Sequence, residues 1–484
     1  MSIPLPHPVI PESLVGILNG LGFRESGRAL APAIFVVLTI STWPIALTTR
    51  YITSKLLRML ISLIVGVSMI ICIYGFEMTS IFLVMIISFY IPCRYRMMGP
   101  GTITLVALLV LGFVHYDSMI TGTATDRMSH TGTLMVMVAK ISMFAFHVND
   151  GFKRKKGLSL SEHPHIAAQR NLSAVEQVSL FEFMVYTCEF QGSMVGPLFT
   201  YAEYMDFVHN RGDFAIGKKI PYIIPSLKAA GRAFAILGSY VFLSKQWWFG
   251  ADFLVSDWFQ ARPFYQQLLF APFIVASCRM AYYAVWSLSE VACTLSGLSF
   301  VPPHRFTRGR NVNLRQFEFS SNFNSVTNNW NIRISDLWLK QSIYQRVETV
   351  PKILRPFVAS RKGLANFTTK ATSAFWHGWY AGYGISFLSL GLCNWSETLL
   401  RKKVHPRLPG WLLNNPITPI LAWMHTWWSV NLFFAPFVLL TWAKTSVFYA
   451  GVFWFGHVYH LILILVCSAL PTPKVVSSKH DKSE

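Results

Sequence analysis

The chain has 484 residues, of which 53% are hydrophobic and only 13% charged, and its formal net charge is +20 at pH 7. This composition excludes a soluble globular protein, because apolar stretches close to the ~20 residues needed to cross a bilayer recur along the chain. The basic excess is typical of cytoplasmic loops that face anionic lipid headgroups, and nucleic-acid binding is a poor alternative.

The apolar stretches predict an all-α, polytopic membrane protein with roughly 10–12 membrane helices and additional re-entrant or interfacial helices. The spans are rich in Leu, Ile, Val, Met and Phe without the alternation of a barrel strand. We predict one membrane domain over 1–470, a polar tail at 471–484 and a surface helix at 11–23. The predicted spans are 31–48, 56–76, 79–92, 102–115, 132–148, 229–250, 265–300 (long enough for a bent or double element), 371–393, 416–443 and 446–470, with 176–199 as a weaker candidate.

Charges in the connections predict the orientation of the first half. Basic connections alternate with connections that carry little positive charge, and Lys and Arg accumulate on the cytoplasmic side. The N-terminus should therefore lie outside the cytosol and the basic run 153–156 inside it. The basic segments 301–370 and 401–407 both favour the cytosol, so something within 301–393 must cross twice, re-enter or break the rule.

The cysteines and the two histidines of the last predicted span give no metal or redox signature. Seven cysteines occur singly, with no CxxC pair. His457 and His460 lie three residues apart on the last span without carboxylate or thiol support, so we interpret them as hydrogen-bonded helix contacts and predict no metal site.

Four ionisable residues interrupt predicted spans or their ends. His147 and Asp150 share one helix face and form either an interfacial anchor or turn, or a substrate contact. Arg279 and Glu290 pair with each other or with neighbouring helices, or they line a tunnel. We interpret the basic run 153–156 as a topology signal and not as a ligand site.

The stretch "ATSAFWHGWYAGYGISF" (371–387) contains one histidine, His377, within a predicted span. A small residue recurs every fourth position, which predicts a ridge for close helix packing: Ala374, Gly378, Gly382 and Ser386. Ser373 and Tyr380 lie on the same predicted face as His377. An ionisable residue in a membrane is costly, so His377 is either a functional group or a hydrogen-bonded contact to another helix.

A second candidate lies upstream in "NNWNIRISDLWLKQSIYQRV" (328–347). The pattern predicts an amphipathic helix with Trp330, Ile334, Leu337 and Trp338 on one face and Asn331, Ser335 and Ser342 on an adjoining polar face. Taken alone, Asn331 also fits a cap or turn residue.

Together, "WNIRISDLWL" and "FWHGWYAGY" resemble the signature of the membrane-bound O-acyltransferase family, in which an asparagine and a histidine face a shared reaction tunnel. Further segments, at 146–155, 192–207, 261–290 and 433–465, resemble the lysophospholipid acyltransferase branch. The resemblance covers most of the chain from about residue 130 onward. The interval between Asn331 and His377 is longer than in most relatives, with the surplus in 348–370.

This resemblance implies acyl transfer from acyl-coenzyme A, as co-substrate and without a further cofactor, to the free hydroxyl of a lysophospholipid in the endoplasmic reticulum membrane. His377 matches the general base and Asn331 its partner, which either stabilises the oxyanion or orients the hydroxyl. Trp330, Ser373, Trp376 and Tyr380 are expected substrate contacts. The alternatives are another acceptor (a sterol, diacylglycerol or protein) and a transporter whose path is lined by His377, Arg279 and Glu290.

Overall fold

The computed structural model describes residues 27–121, 130–347 and 360–471. The predicted surface helix at 11–23 and nearly all of the predicted tail lie outside the described residues. Their regular secondary structure is helical except for two short strands, β1 (Phe300–Val301) and β2 (Arg305–Phe306), which pair antiparallel. The predicted all-α class is confirmed.

The first four helices follow the predicted spans. They are α1 (Gly27–Thr49), α2 (Lys55–Arg94), α3 (Pro100–Ile120) and α4 (Thr131–Lys155). The predicted spans 56–76 and 79–92 both fall in α2, which is interrupted only at Gly75, where φ is 80°. A glycine adopts a positive φ without steric cost, so the helix breaks at Gly75 into two segments, at the boundary between the two predicted spans.

The middle of the chain is divided into shorter elements: α5 (Pro164–Ser173), α6 (Leu180–Thr187), α7 (Tyr201–Val208), α8 (Ile223–Ser244), α9 (Asp257–Gln260), α10 (Phe264–Ser296), α11 (Leu314–Glu318) and α12 (Phe323–Asn328). The weaker candidate span at 176–199 is wrong, because only α6 is helical there. In the predicted span 265–300, residues up to Ser296 belong to the single helix α10.

The described residues of the last third contain two π-helices and six α-helices. The α-helices are α13 (Arg361–His377), α14 (Ala381–Leu399), α15 (Gly410–Leu413), α16 (Ile417–Leu439), α17 (Trp442–Gly451) and α18 (Phe455–Ala469). The π-helix Ile334–Ile343 precedes α13, and a shorter one, Leu400–Val404, directly follows α14. The predicted span 371–393 is wrong as one helix, since α13 ends at His377 and α14 begins at Ala381. The predicted span 446–470 is the pair α17 and α18, bent by 71°.

Among the described residues, four helices are long and apolar enough to cross a membrane: α2, α3, α4 and α10. The bent pair α17 and α18 makes five if it counts as one span. The predicted 10–12 spans therefore exceed this number. Part of the difference arises because α2 is counted once although its break at Gly75 separates two predicted spans, and because the predicted span 371–393 breaks at Gly378.

The residues group into two compact units whose segments interleave along the sequence. The first comprises residues up to Phe242, Met280–Val312 and Trp330–Trp379. The second comprises Leu243–Arg279, Asn313–Asn329 and Tyr380–Glu484. The core of the first unit is built on fully buried aromatic side chains from α4, α6 and α7 and the loop between α6 and α7, namely Phe144, Phe183, Tyr186, Phe199 and Tyr204. The single domain over 1–470 stays a prediction.

Candidate active site

His377 is the last residue of α13, and the residue after it decides how the helix ends. Gly378 has φ 110° and ψ −169°, a conformation essentially restricted to glycine. A Cβ atom added there would lie 2.9 Å from the ring of His115 in α3. Only glycine therefore allows the chain to leave the helix directly after the histidine, and the predicted ridge through Ala374, Gly378 and Gly382 is wrong as a continuous helix face.

Tryptophans on both sides of His377 fasten this helix end to the first unit. Trp376 is buried, and its Nε1 donates to the main-chain oxygen of Met135 in α4 at 2.9 Å. Trp379 Nε1 donates to the main-chain oxygen of Gly112 in α3 at 2.7 Å. His115 Nε2 donates to the main-chain oxygen of Trp376 at 3.1 Å. Neighbouring helices thus fix the backbone around His377 by hydrogen bonds.

Asn331 lies in the turn before the π-helix, with φ 46°. Asparagine tolerates this left-handed conformation better than most residues. Its main-chain oxygen accepts a hydrogen bond from Ser335 N at 3.0 Å, so Asn331 marks the helix start. The cap-or-turn interpretation therefore describes its backbone. The predicted helix face is wrong for Trp330 and Asn331, which precede the helix.

The rest of the predicted apolar face is correct, because Ile334, Leu337 and Trp338 are all buried. π-Helices are rare and occur frequently at functional sites. The ring of Trp338 lies 5.3 Å from that of Trp376, centroid to centroid. The helix that follows Asn331 and the helix that ends in His377 therefore pack together through two tryptophans.

Trp330 belongs to a separate aromatic cluster with α10. Its ring lies 5.0 Å from that of Trp286 and 5.8 Å from those of Tyr282 and Tyr283. Trp286 Nε1 donates to the main-chain oxygen of Val195 at 3.1 Å. Two of the segments that carried the family resemblance, 192–207 and 261–290, therefore meet around the residue before Asn331.

Arg333 binds the turn that contains Asn331 to the segment 192–207. Its Nε donates to the main-chain oxygen of Leu198 at 2.7 Å and its Nη2 to Glu203 Oε2 at 2.7 Å. Arg308 also approaches Glu203, with 3.5 Å between Nε and Oε1. Burial alone would raise the pKa of the Glu203 carboxyl, but the guanidinium groups of Arg333 and Arg308, together with hydrogen bonds from Thr200 N and Arg333, outweigh burial and lower that pKa.

Two residues close to Asn331 and His377 were not predicted from the sequence. Asn311 is buried; its main-chain oxygen accepts from Ile332 N at 2.7 Å, and its side chain packs against Gly196. His115 contacts Gly378 and Trp376. An ionisable residue near the end of an apolar span was a signal for His115, whereas no local pattern distinguishes Asn311 from its neighbours in "GRNVNLR".

The remaining predicted substrate contacts separate into two groups. Ser373 is buried, four residues before His377 on α13, and Trp376 is fixed as described. Tyr380 begins the second unit. The substrate roles of Trp330, Ser373, Trp376 and Tyr380 stay predictions.

Arg279 and Glu290, which interrupt a predicted span, each pair with other residues and not with each other. Arg279 pairs with Glu318 at 2.8 Å and also bonds to Asn431. Glu290 pairs with Arg232 at 2.8 Å and with Arg310 at 3.3 Å. A direct Arg279–Glu290 pair is therefore wrong, and pairing with neighbouring elements is correct.

Two further candidates have structural partners. Asp150 is buried and pairs with Arg346 at 2.8 Å. His147 is also buried, and its main-chain oxygen accepts from Val175 N at 3.0 Å. Both residues therefore lie inside the first unit.

His457 and His460 bind serines on neighbouring helices. His457 Nε2 lies 2.8 Å from Ser389 Oγ, while His460 lies 2.7 Å from Ser396 Oγ and 3.0 Å from Ser429 Oγ. These distances agree with their interpretation as helix contacts. Among the described residues, no group of three or more His, Cys, Asp or Glu side chains is arranged to hold a metal ion.

Comparison with known proteins identifies the family. The family model of the membrane-bound O-acyltransferases matches residues 101–440, which include both Asn331 and His377. The chain belongs to that family. It is therefore an acyltransferase and a multi-pass membrane protein, and the transporter alternative is abandoned.

Several curated relatives cover most of the chain. It is 26% identical over 478 residues to lysophospholipid acyltransferase 2 of Arabidopsis thaliana, covering 95% of this chain and 97% of the relative. It is 24% identical over 441 residues to membrane-bound glycerophospholipid O-acyltransferase 1 of Mus musculus, covering 86% and 84%. It is 28% identical over 371 residues to membrane-bound glycerophospholipid O-acyltransferase 2 of Gallus gallus, covering 71% and 66%.

Proposed function

We propose that this protein transfers a fatty acyl group from acyl-coenzyme A to the free hydroxyl of a lysophospholipid, in the endoplasmic reticulum membrane. The names of the relatives support a glycerophospholipid acceptor over a sterol, diacylglycerol or protein. The observation that carries the assignment to these residues is the packing of Trp338 on Trp376, since it joins the helices that follow Asn331 and end in His377.

The reaction needs a base and a group that stabilises developing charge. His377 takes the proton from the acceptor hydroxyl as the hydroxyl oxygen attacks the thioester carbonyl, because imidazole titrates near neutral pH. Asn331 donates a hydrogen bond to the carbonyl oxygen as it gains negative charge, or orients the hydroxyl. The carbon–sulfur bond then breaks, coenzyme A leaves as the thiolate and takes up a proton, and the new ester is released.

Transfer is direct, without an acyl-enzyme intermediate. A thioester is already activated, so a protein nucleophile is not needed to divide the reaction into two steps. All seven cysteines are free, and Cys93, Cys188, Cys293, Cys393 and Cys467 are buried. Burial disfavours the thiolate that nucleophilic attack requires.

A lysophospholipid panel tests the proposed function. Microsomes that express the chain are supplied with oleoyl-coenzyme A and one acceptor at a time: the lyso forms of phosphatidylethanolamine, phosphatidylserine, phosphatidylcholine and phosphatidylinositol, or cholesterol or diacylglycerol. We expect the diacyl product with at least one lysophospholipid. Microsomes with His377→Ala at equal protein level are the matched blank. Product from cholesterol or diacylglycerol alone would overturn the assignment of the acceptor.

A further inference from the structure

A buried asparagine beside the Asn331 turn has no partner for its side chain. Asn311 is 2% exposed, and neither its Nδ2 nor its Oδ1 has a hydrogen-bond partner among the described residues. In that part of the chain no other side chain leaves two buried polar atoms unpaired. Burying an amide without hydrogen bonds lowers the free energy of unfolding, and each such group in a native structure needs an explanation. The chain therefore keeps this carboxamide although it lowers stability.

The backbone on both sides of the carboxamide is held by hydrogen bonds. The main-chain oxygen of Asn311 accepts from the N–H of Ile332, the residue after Asn331, at 2.7 Å. The facing segment, which contains Gly196, accepts from Trp286 Nε1 at 3.1 Å on one side and from Arg333 Nε at 2.7 Å on the other. A shift of either segment would break these bonds. A bound molecule therefore supplies a partner for the carboxamide more readily than a movement of the protein does.

Gly196 leaves room for the carboxamide. A Cβ atom added at position 196 would lie 2.8 Å from Asn311 Nδ2, which is closer than non-bonded atoms approach. Any side chain at this position would displace the amide group. Gly196 belongs to the segment 192–207, one of those that resemble the lysophospholipid acyltransferase branch. The position of the Asn311 side chain thus depends on a glycine in that segment.

The chemistry of the two unpaired atoms indicates the kind of ligand. A carboxamide presents a neutral donor, its NH₂ group, beside a neutral acceptor, its oxygen. The glycerol part of a lysophospholipid carries an ester carbonyl, which accepts, and on the adjacent carbon a free hydroxyl, which donates. These two groups complement the two atoms of Asn311. The free hydroxyl is also the group on which His377 and Asn331 act in the proposed reaction.

We propose that the Asn311 carboxamide binds the glycerol part of the lysophospholipid acceptor, with Nδ2 donating to the ester carbonyl and Oδ1 accepting from the free hydroxyl. This inference rests on the proposed function and adds a contact to the acceptor. The hydroxyl proton passes to His377 when the hydroxyl attacks, so Asn311 contributes to binding and not to the chemical step. The pantetheine amides of the donor offer the same neutral chemistry and are the competing source.

Two acceptors that differ only in the carbonyl test the proposal. Initial rates are measured with 1-oleoyl and 1-O-oleyl lysophospholipid, an ester and an ether, carrying the headgroup found in the panel. For Asn311→Leu we expect KM for the ester to rise about tenfold, because two neutral hydrogen bonds are lost, and KM for the ether to rise about threefold, because one is lost. The ratio of the ether KM to the ester KM should therefore fall from about three in the wild type to about one.

The donor and the chemical step supply two further readouts in the same assay. KM for oleoyl-coenzyme A should stay within about twofold of wild type in Asn311→Leu, since the donor does not contact Asn311 in this proposal. The kcat value should stay within about threefold, because the ester carbonyl takes no part in making or breaking bonds.

Stability distinguishes a ligand contact from a structural role. Leucine has nearly the shape of asparagine, and replacing an unpaired buried polar group by an apolar one is neutral or stabilising. We expect the unfolding midpoint of Asn311→Leu, measured in detergent without substrate, to rise by about 2 °C. Asn311→Ala removes the same atoms without adding volume and should stay within about 2 °C of wild type.

Asn313→Leu is the matched control, because it is the same substitution two residues away on a side chain with partners. Asn313 Nδ2 donates to Gln316 Oε1 at 2.9 Å, and the Asn313 side chain caps α11 by accepting from Gln316 N. Its unfolding midpoint should fall, since a capping hydrogen bond is lost. KM for the ester, for the ether and for oleoyl-coenzyme A should not change.

Three outcomes would overturn the proposal for Asn311. Asn311→Leu raises KM equally for the ester and the ether; it raises KM for oleoyl-coenzyme A instead, which assigns the contact to the pantetheine arm; or the Leu and Ala variants both unfold more than about 5 °C below wild type, which makes the carboxamide a structural group. If the wild-type protein transfers no acyl group to any lysophospholipid, the proposed function fails instead. That result is visible before any variant is compared.

Discussion

Asn331 lies among charged and main-chain partners, whereas His377 lies among aromatic rings and a glycine. Arg333 joins the Asn331 turn to Leu198 and Glu203. Two tryptophan N–H groups and the close approach of Gly378 to His115 fix the end of α13. Charge changes should therefore disturb the first region, and changes of volume or backbone freedom should disturb the second.

The largest expected effect comes from the candidate pair itself. His377→Ala should lower kcat by ~10²–10⁴, the usual contribution of a general base. Asn331→Ala should be severely impaired, and the double variant should be little worse than His377→Ala, because residues that act together are not additive. Rates are measured on protein that elutes as a single species in detergent. More than about a tenth of wild-type turnover in folded His377→Ala would remove it from the mechanism.

Gly378→Ala tests the backbone at the histidine end. We expect a loss of about 2–5 kcal/mol in stability, since alanine is strained at φ 110° and its Cβ lies too close to His115. Activity should fall together with stability, because His377 directly precedes the strained backbone at position 378. The readouts are thermal unfolding in detergent and kcat.

The control for that variant is Gly384→Ala. Gly384 lies inside α14 with no atom within 4 Å of an added Cβ, so alanine should be neutral or slightly stabilising there. Equal behaviour of the two alanine variants would contradict the special role of Gly378.

Glu203→Gln tests the ion pair between Glu203 and Arg333 beside Asn331. It should cost about 1–3 kcal/mol of stability, because Arg333 loses a charged partner. The folded pKa of Glu203 is lowered, so its stabilisation is complete above the unfolded value of ~4.3 and is lost as pH falls through the folded value. The difference in the free energy of unfolding between the wild type and the variant should therefore be constant from about pH 5 to 8 and shrink below about pH 4.

Glu182→Gln is the matched control for Glu203→Gln, because it is the same substitution at the equivalent position of another helix. Glu182 and Glu203 both occupy the third helical position of a capping box, but among the described residues Glu182 has no guanidinium partner and lies 3.8 Å from the imidazole of His209. We expect a smaller loss of stability for Glu182→Gln. Equal losses would mean that capping, and not the guanidinium pair, makes Glu203 important.

The smallest effect is expected from the cysteines. Replacing all seven with Ala or Ser, according to burial, should leave kcat within about threefold of wild type, allowing for some loss of stability. A labelled acyl group trapped covalently on the wild-type chain during turnover would contradict direct transfer.

The two regions also differ in what their sequences predicted. Composition alone indicated the helical membrane class, and the apolar residues Ile334, Leu337 and Trp338 were correctly assigned to a buried face. The break after His377 was missed, because Gly378 fits a packing ridge as well as a helix end and the choice depends on His115, distant in sequence. Arg333 and Glu203 are separated by 130 residues, so no local pattern predicts their ion pair.

The basic run 153–156 shows the same limit from another side. It had a sufficient explanation in membrane orientation, and its four residues are equivalent in sequence. The fold distinguishes them: Arg154 pairs with Glu176 at 2.9 Å, Lys156 lies over the ring of Phe152, and Lys153 lines a small polar cavity to which Arg361, more than 200 positions downstream, also contributes.

The interleaving of the two units has a consequence for biosynthesis. The first unit needs residues from its N-terminal part, from Met280–Val312 and from Trp330–Trp379. Because a chain emerges from the ribosome in sequence order, this unit cannot be completed until nearly four-fifths of the protein has been made. Segments of the second unit enter the membrane before the first is finished. A premature stop anywhere before Trp379 should therefore leave both units incomplete and deliver the fragment to quality-control proteolysis.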